Sequence, residues 1–263
     1  MRRWALGAVA LAVLAGLTLT ACTSSQDKAR EIREHAEATK PKPLVIPKPS
    51  KDMKVGQPTM LHDQNGDAIV VPVTNETDKT LVSVPILIEV KNPQGTTVYK
   101  NDTAGIDYAL NHIAVIKPHE TFYWVNDQLT GEGKAKIRVG DPEEKTPSGP
   151  LPEYTVSDPR FGHDFSGVKV SGTVKTDSKV DQSHLILFAV ARQGDRIVAA
   201  GRGQVKKLKA SAKPSPYVIY FIGDPTGSDV TIQTPPTTFE GIGELGAAPA
   251  AEGAPTPASG GTQ

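Results

Sequence analysis

The feature that most constrains the fold is a series of short apolar runs, each bounded by turn residues. The runs are rich in Val, Ile, Leu and aromatic residues, which is typical of β-strands. No long amphipathic helix separates them, and their spacing suits antiparallel sandwiches. We therefore predict an all-β fold, with strand candidates at 81–91, 96–100, 112–116, 120–125, 134–139, 165–175, 183–191, 195–200, 202–208, 216–222 and 229–233.

A hairpin is predicted before the first long run, because Asn65-Gly66 precedes the apolar residues 68–71. The same segment, 63–67, alternates oxygen-bearing side chains and could instead be a calcium loop. An EF-hand needs Gly at its sixth position and Glu at its twelfth, where this chain has Ala68 and Thr74. A plain hairpin turn accounts for the same residues.

Two parts of the chain resemble each other at an offset of 99 residues, in the order of their apolar runs and turns. Val71 matches Val170, and Gly95 matches Gly194. We predict two related sandwiches, 58–140 and 161–239, joined by a Pro-rich acidic linker at 141–160. The alternative is that two antiparallel sandwiches look alike by chance.

The same order of elements is similar to a known family. A strand that starts near Val71 or Val170, a polar turn, a long apolar strand, a Gly turn and a short strand resemble the immunoglobulin-like FxLYD-type domains of Gram-positive, including actinobacterial, lipoproteins. The resemblance implies Ig-like sandwiches and no enzymatic activity. The Tyr-Asp pair that names the family is missing from 86–91 and 185–190.

The N-terminus carries the features of an export signal. Arg2 and Arg3 precede an apolar run at 4–19, which is short for a helix that must cross about 30 Å of hydrocarbon. The run ends in Leu19-Thr20-Ala21-Cys22, which resembles the bacterial lipobox. The resemblance implies that residues 1–21 are a signal peptide and that Cys22 is lipidated. The Arg pair leaves twin-arginine export open as a second route.

Cys22 is the only cysteine of the chain. An intrachain disulfide, a Cys-x-x-Cys redox pair and a thiolate zinc cluster are therefore excluded. The alternative to lipidation is a chance cysteine in a cleaved signal or an uncleaved anchor. We expect the mature protein to be held by its N-terminal lipid on the extracytoplasmic face of the cell membrane, a compartment that excludes nucleic acid as a partner.

Flanking segments look unlike the sandwiches. Residues 22–57 combine a polar, helix-prone stretch with the Pro-rich sequence 41–50, which predicts a membrane-proximal stalk. Residues 240–263 are rich in Ala, Gly and Pro, which predicts a disordered tail.

Charge is distributed unevenly although the whole chain is neutral. Residues 58–140 carry a net charge of −3, and residues 165–239 carry +5. The positive excess lies in a stretch without acids, formed by Arg202, Lys206, Lys207, Lys209 and Lys213. This stretch could bind an anionic cell-wall polymer or the acidic first sandwich. Alternatively, its lysines protect the edge of a sheet from aggregation.

The aromatic strand Phe122-Tyr123-Trp124 is the best candidate for a binding surface. Successive residues of a strand point to opposite faces, so an aromatic side chain on an open face could contact an envelope protein or a sugar. Core packing of both faces is the alternative.

Catalytic motifs are missing from the sequence. It contains no Gly-x-Ser-x-Gly elbow, Ser-x-x-Lys motif or Walker loop, and His119-Glu120 is followed by Tyr123 where a zincin has its second histidine. We predict a protein that is not an enzyme and needs no cofactor or metal, but binds or scaffolds in the cell envelope. The alternative is a small-molecule-binding lipoprotein such as a transport accessory protein. A deep apolar pocket would favour this alternative, and a flat exposed aromatic patch a partner surface.

Overall fold

The computed structural model describes residues 42–147, 149–210, 213–240 and 242–246. The signal peptide, the lipobox with Cys22, much of the predicted stalk and most of the predicted tail lie outside these ranges. Within them, no helix is long and apolar enough to cross a membrane. The prediction of an all-β fold built from antiparallel sheets is confirmed.

The first half contains two four-stranded antiparallel sheets. In one, β3 pairs with β1, β2 and β7; in the other, β4 pairs with β5, β6 and β8. The strands are β1 (Met53–Val55), β2 (Thr59–Asp63), β3 (Gly66–Asn75), β4 (Leu81–Lys91), β5 (Thr97–Lys100), β6 (His112–Ile116), β7 (Thr121–Leu129) and β8 (Lys134–Val139). A single 3-10 turn, Tyr108–Leu110, precedes β6.

The predicted hairpin is confirmed as the β2–β3 connection. Asp63 pairs with Gly66 across the two-residue turn Gln64-Asn65. Gly66 has a φ of 145°, a conformation that glycine adopts without steric cost. The Asp63 carboxylate accepts the Asn65 N–H at 2.6 Å and thereby shapes the turn.

The second half also contains two antiparallel sheets, ordered β13-β10-β9 and β14-β12-β11-β15. Its strands are β9 (Tyr154–Asp164), β10 (Gly167–Thr176), β11 (Gln182–Gln193), β12 (Arg196–Leu208), β13 (Ser215–Tyr220), β14 (Ile222–Gly223) and β15 (Asp229–Gln233), followed by the short hairpin β16 (Thr238–Phe239) and β17 (Gly243–Glu244). Among the described residues, every sheet draws its strands from one half only.

Strand β11 joins the two halves through its two faces. Leu185 and Leu187 point into the core of the second half. Ile186 and Phe188 point the other way, into a cluster that also contains Phe122 of β7. The rings of Phe122 and Phe188 meet edge to face, with 5.0 Å between their centroids. Because both of its faces are buried, β11 is almost continuously apolar rather than alternating.

Several boundaries differ from the sequence-based expectations. The runs 195–200 and 202–208 form one strand, β12, because Gly201 is a point of close approach rather than a turn: a Cβ there would lie 1.9 Å from the Tyr220 carbonyl oxygen. Strand β9 begins at Tyr154, inside the predicted linker, and β17 lies inside the predicted tail. Part of the predicted stalk packs on the first half through buried Ile46 and Met53.

Candidate functional site

The aromatic strand lies mainly in the core, which corrects its interpretation as a binding surface. Phe122 and Trp124 are 1 % and 0 % exposed. The Trp124 indole N–H donates to the Ala109 carbonyl at 3.0 Å. Tyr123 is half-buried beneath Arg192, whose guanidinium carbon lies 4.0 Å from the ring centroid. The strand is covered because one face meets the first half's core and the other meets β11 and β12.

Arg202, at the start of the predicted basic stretch, connects the two halves. Its guanidinium donates to the Asp127 carboxylate from Nε at 2.9 Å and from Nη2 at 2.6 Å. The Arg202 side chain is only 9 % exposed. This geometry supports contact with the acidic first half, and it leaves Arg202 little freedom to bind a polymer.

The lysines of the same stretch have different surroundings. Lys207 and Lys209 contact the Asp181 carboxylate at 3.1 and 2.9 Å. The Ala210 backbone N–H and then these two lysines lower the pKa of Asp181 well below its usual range. Lys206 and Lys213 are exposed and make no ion pair within the described ranges. The stretch is therefore not one uniform cationic surface.

A different region exposes aromatic side chains. We call the β9–β10–β13 sheet the outer sheet. Of the large apolar residues that are exposed in the described ranges, four belong to this sheet or its turn: Phe161, Phe165, Val218 and Tyr220, with exposed fractions of 54, 101, 43 and 40 %. The sheet is packed on its inner side against β11 and β12, and Val218 and Tyr220 point to the other, open side. Phe161 is paired with the buried Val170, so it lies on the inner side, at the end of the edge strand β9.

Hydrogen bonds hold the exposed residues in place at one end of the outer sheet. Asp164 accepts from Lys169 Nζ at 2.6 Å and from the Tyr220 hydroxyl at 3.0 Å. It also accepts the Ser166 N–H at 2.8 Å, which fixes the turn that presents Phe165. These contacts, with Lys169 first, lower the pKa of Asp164. Nearby, Phe161 stacks on the buried Phe221 ring at 6.4 Å.

Sequence analysis did not single out this aromatic end. The signal was the segment 160–167, in which Phe161 and Phe165 stand among Gly, His, Asp and Ser rather than within an apolar run. Aromatic residues that stand alone among polar ones do not indicate a binding surface in the sequence, even though Phe165 begins the predicted strand 165–175.

A cleft of about 400 Å³ lies where the two halves meet. Tyr108 and His112 stack on one side, with ring centroids 4.6 Å apart. On the other side, His184 Nδ1 lies 2.5 Å from a Glu244 carboxylate oxygen. Burial raises the pKa of Tyr108. The cleft combines apolar side chains, including Phe188, with several hydrogen-bonding groups, but it is open to solvent on one side.

Across the described part of the chain, no three His, Cys, Asp or Glu side chains converge as a metal site requires. His119 is instead hydrogen-bonded to Asp78 at 2.8 Å. The second carboxylate oxygen of Asp63 accepts the Gly223 N–H at 2.9 Å, so this turn residue links the halves.

Comparison with known proteins adds no family. Neither the models of protein families nor the curated proteins contain a match to this chain.

Proposed function

We propose that the chain is a lipid-anchored protein of the extracytoplasmic face of the cell membrane, which binds a protein partner of the cell envelope without catalysing a reaction. The lipobox-like sequence Leu19-Thr20-Ala21-Cys22 supports the anchor. The two antiparallel sandwiches support a binding or scaffolding role, and we propose that both are Ig-like, as their order of strands and turns suggests.

The observation that carries the proposal is the aromatic end of the outer sheet. Single exposed apolar residues are common on protein surfaces, whereas neighbouring ones favour an interaction site. Phe165 lies in the β9–β10 turn, and Phe161 and Tyr220 lie beside this turn on opposite sides of the sheet. Phe165 is fully exposed at the tip of a turn that Asp164 holds in place. Aromatic anchors on a preordered backbone are typical of the central residues of protein interfaces.

A protein partner fits this surface better than an anionic polymer does. The exposed groups that define the surface are aromatic and aliphatic. Of the two nearby cations, Lys169 is already paired with Asp164, and only Arg160 is exposed. The most cationic stretch of the second half is largely engaged by Asp127 and Asp181.

The partner site is tested by crosslinking in intact cells followed by pull-down. We expect F161S/F165S to lose the partner that the wild-type protein captures, because the two rings supply its apolar anchors. V55S is a matched control, since Val55 is also exposed but lies on β1 of the first half. Equal capture by F161S/F165S and V55S would disprove the partner surface.

The anchor has a separate test. C22A removes the only thiol that can carry lipid, so we expect the protein to leave the membrane fraction or to accumulate as precursor. Mass spectrometry of the wild-type N-terminal peptide should show the lipid. A wild-type peptide without lipid contradicts the anchor, whatever the outcome for the partner surface.

A small-molecule-binding lipoprotein, such as a transport accessory protein, is the alternative, and the cleft between the halves favours it. Its volume of about 400 Å³ lies in the range of small-molecule sites. The test is thermal stabilisation of the full chain in a screen of metabolites. Stabilisation that is present in the wild type and lost in both Tyr108→Ala and His184→Ala would support the alternative over the partner surface.

A further inference from the structure

The segment that leads from Cys22 into the first half lies across the outer face of the β4-containing sheet, from the end of β5 to the end of β8. The Leu44 N–H donates to the Asp102 carbonyl at 3.2 Å, and Arg138 Nη1 donates to the Ile46 carbonyl at 3.2 Å. Ile46 is 2 % exposed, and the Ser50 N–H donates to the Val139 carbonyl at 2.8 Å. The polypeptide is therefore held on the sandwich from Leu44 onward.

We call Lys42, the first described residue, the exit point. Because the chain is held on the sheet directly after it, chain length limits how far the exit point can lie from a lipid on Cys22. Lys42 is twenty positions after Cys22 in the sequence. A chain of that length spans at most about 70 Å when fully extended. A flexible one has an average end-to-end distance of about 25 Å. The face of the sheet on which the exit point lies thus stays near the membrane if Cys22 is lipidated.

The surface beside the exit point is cationic. We call it the tether face; its cations are Lys91, Lys100, Lys134, Lys136 and Arg138. Lys134 and Lys136 alternate along β8, so both point to the same side of the sheet, and both are exposed. Their partners on β4 are Lys91 and Glu89.

Two shallow concavities show that these side chains form one continuous surface. One, of about 190 Å³, is lined by Lys100, Lys136 and Arg138 together with Val45. The other, of about 820 Å³, is lined by Lys91, Lys134 and again Lys136. Because both share Lys136, the cations of β4, β5 and β8 adjoin the segment that leads to the exit point.

The carboxylates of the tether face do not balance its cations. They are Glu89, Asp102 and Glu132, against the five cations of the face. Glu89 lies 3.6 Å from Lys91 and accepts from the Thr97 hydroxyl at 2.8 Å, and Asp102 is paired with Lys100. Lys134 and Lys136 make no ion pair within the described ranges.

An exposed apolar residue and the neutral segment before the tether face both favour a membrane surface as its partner. Val45 is 74 % exposed beside the cations, which suits the boundary between headgroups and water. The preceding segment, 23–41, has four basic and four acidic residues, so it brings no net negative charge with which to neutralise the face.

We propose that the tether face contacts the anionic headgroups of the membrane that carries the anchor, which gives the body one preferred orientation. The inference rests on the lipid anchor under Proposed function, because the anchor brings the face to the membrane. Each lysine near an anionic bilayer contributes about a five-fold gain in binding.

The first experiment is acetylation footprinting of the lipidated full chain in vesicles, with lysine reaction rates measured by mass spectrometry. In phosphatidylglycerol-containing vesicles we expect Lys134 and Lys136 to react more slowly than in pure phosphatidylcholine. Lys175 and Lys179 are the internal control, since both are exposed lysines of the second half. Equal rates for Lys134 and Lys136 in both lipids would overturn the inference.

The second experiment removes the anchor. The chain from residue 22 onward with Cys22→Ser is mixed with the same vesicles, and bound protein is sedimented. K134E/K136E should bind phosphatidylglycerol vesicles at least about 25-fold more weakly, because each lost lysine contributes about five-fold and each new carboxylate is repelled by the anionic headgroups. The control K175E/K179E should bind like the wild type, and 1 M salt should suppress binding, because the screening length falls to about 3 Å.

The outcomes separate the lipid contact from its rivals. Equal losses in K134E/K136E and K175E/K179E, or binding to poly(glycerol phosphate) beads without binding to vesicles, would overturn the lipid contact. If Cys22 carries no lipid but Lys134 and Lys136 still determine vesicle binding, the anchor fails and the headgroup contact stands. If the lipid is present and the lysines have no effect, only the headgroup contact fails.

Discussion

Two groups of aromatic residues in this molecule have opposite fates. Phe122 and Trp124 lie on either side of Tyr123 in β7 and are buried. Phe161 and Phe165 lie on and beside β9 and are exposed. In the sequence, the consecutive aromatic residues of β7 are predicted as a binding surface, whereas the isolated Phe161 and Phe165 are not. The comparison teaches that clustered aromatics in a strand favour core packing, whereas an exposed anchor stands alone among polar residues.

The physical difference is the number of covered faces. Strand β7 belongs to a sheet that packs on the β4-containing sheet on one side and near β11 and β12 on the other. The outer sheet packs on β11 and β12 with its inner side only. An aromatic side chain on β7 therefore has no open face. Phe161 is exposed because it lies near the end of the edge strand β9, and Phe165 because it lies in the turn that follows this strand.

The largest effect is expected from truncating the buried group. Trp124→Ala should lower the free energy of unfolding by about 3–5 kcal/mol, because it leaves a cavity and an unpaired Ala109 carbonyl. Phe165→Ala should change it by less than about 0.5 kcal/mol, because the ring is fully exposed. Urea denaturation measures both. Comparable losses in the two variants would remove the distinction between the groups.

A second prediction concerns the contact between Phe122 and Phe188. Phe188→Ala should cost about 3 kcal/mol and should shift the unfolding of both halves together, because the ring belongs to a shared core. Fluorescence of Trp124 follows the first half, and the assigned NMR signals of Tyr154, Tyr217 and Tyr220 follow the second half. Separate transitions, with only one of them shifted, would favour the predicted sandwiches 58–140 and 161–239 as independent units.

Arg202 should have a smaller effect. Arg202→Met removes both guanidinium hydrogen bonds to Asp127 and leaves that carboxylate only the backbone N–H of residue 202, at 3.2 Å, for an expected cost of about 2 kcal/mol. Small-angle scattering should show a less compact arrangement of the halves. Lys206→Met is the matched control, since Lys206 is exposed and should give no change. Equal effects of the two substitutions would argue against Arg202 as a link.

The smallest effect concerns Asp181. Its lowered pKa means that its pairing stabilises the fold above the ordinary pKa of an aspartate, and that this stabilisation is lost as the pH falls through the lowered pKa. K207A/K209A should raise the pKa of Asp181 toward its usual value, observed by NMR titration of the carboxyl carbon. The pKa should stay below that value, because the Ala210 N–H still donates at 2.9 Å.

Sequence reasoning recovered the strands that local pattern determines. Strands at 81–91, 112–116, 134–139 and 229–233 have the predicted bounds. It missed β1 and the whole of β9, which lack a long apolar run and become strands by pairing with β3 and β10. In the sequence, Gly201 looks like a turn between two strands, because a turn and a close contact between sheets both select glycine.

The sequence by itself determined the all-β class, the β2–β3 hairpin and the uneven charge, because these depend on local periodicity, turn chemistry and composition. Tertiary structure alone decided which aromatic side chains are exposed and which cations are free. Arg202 and Lys206 look alike in the sequence, yet one is paired with an aspartate 75 residues away and the other faces solvent. Exposure and pairing depend on contacts between distant segments, and a local pattern carries no information about which segments will meet.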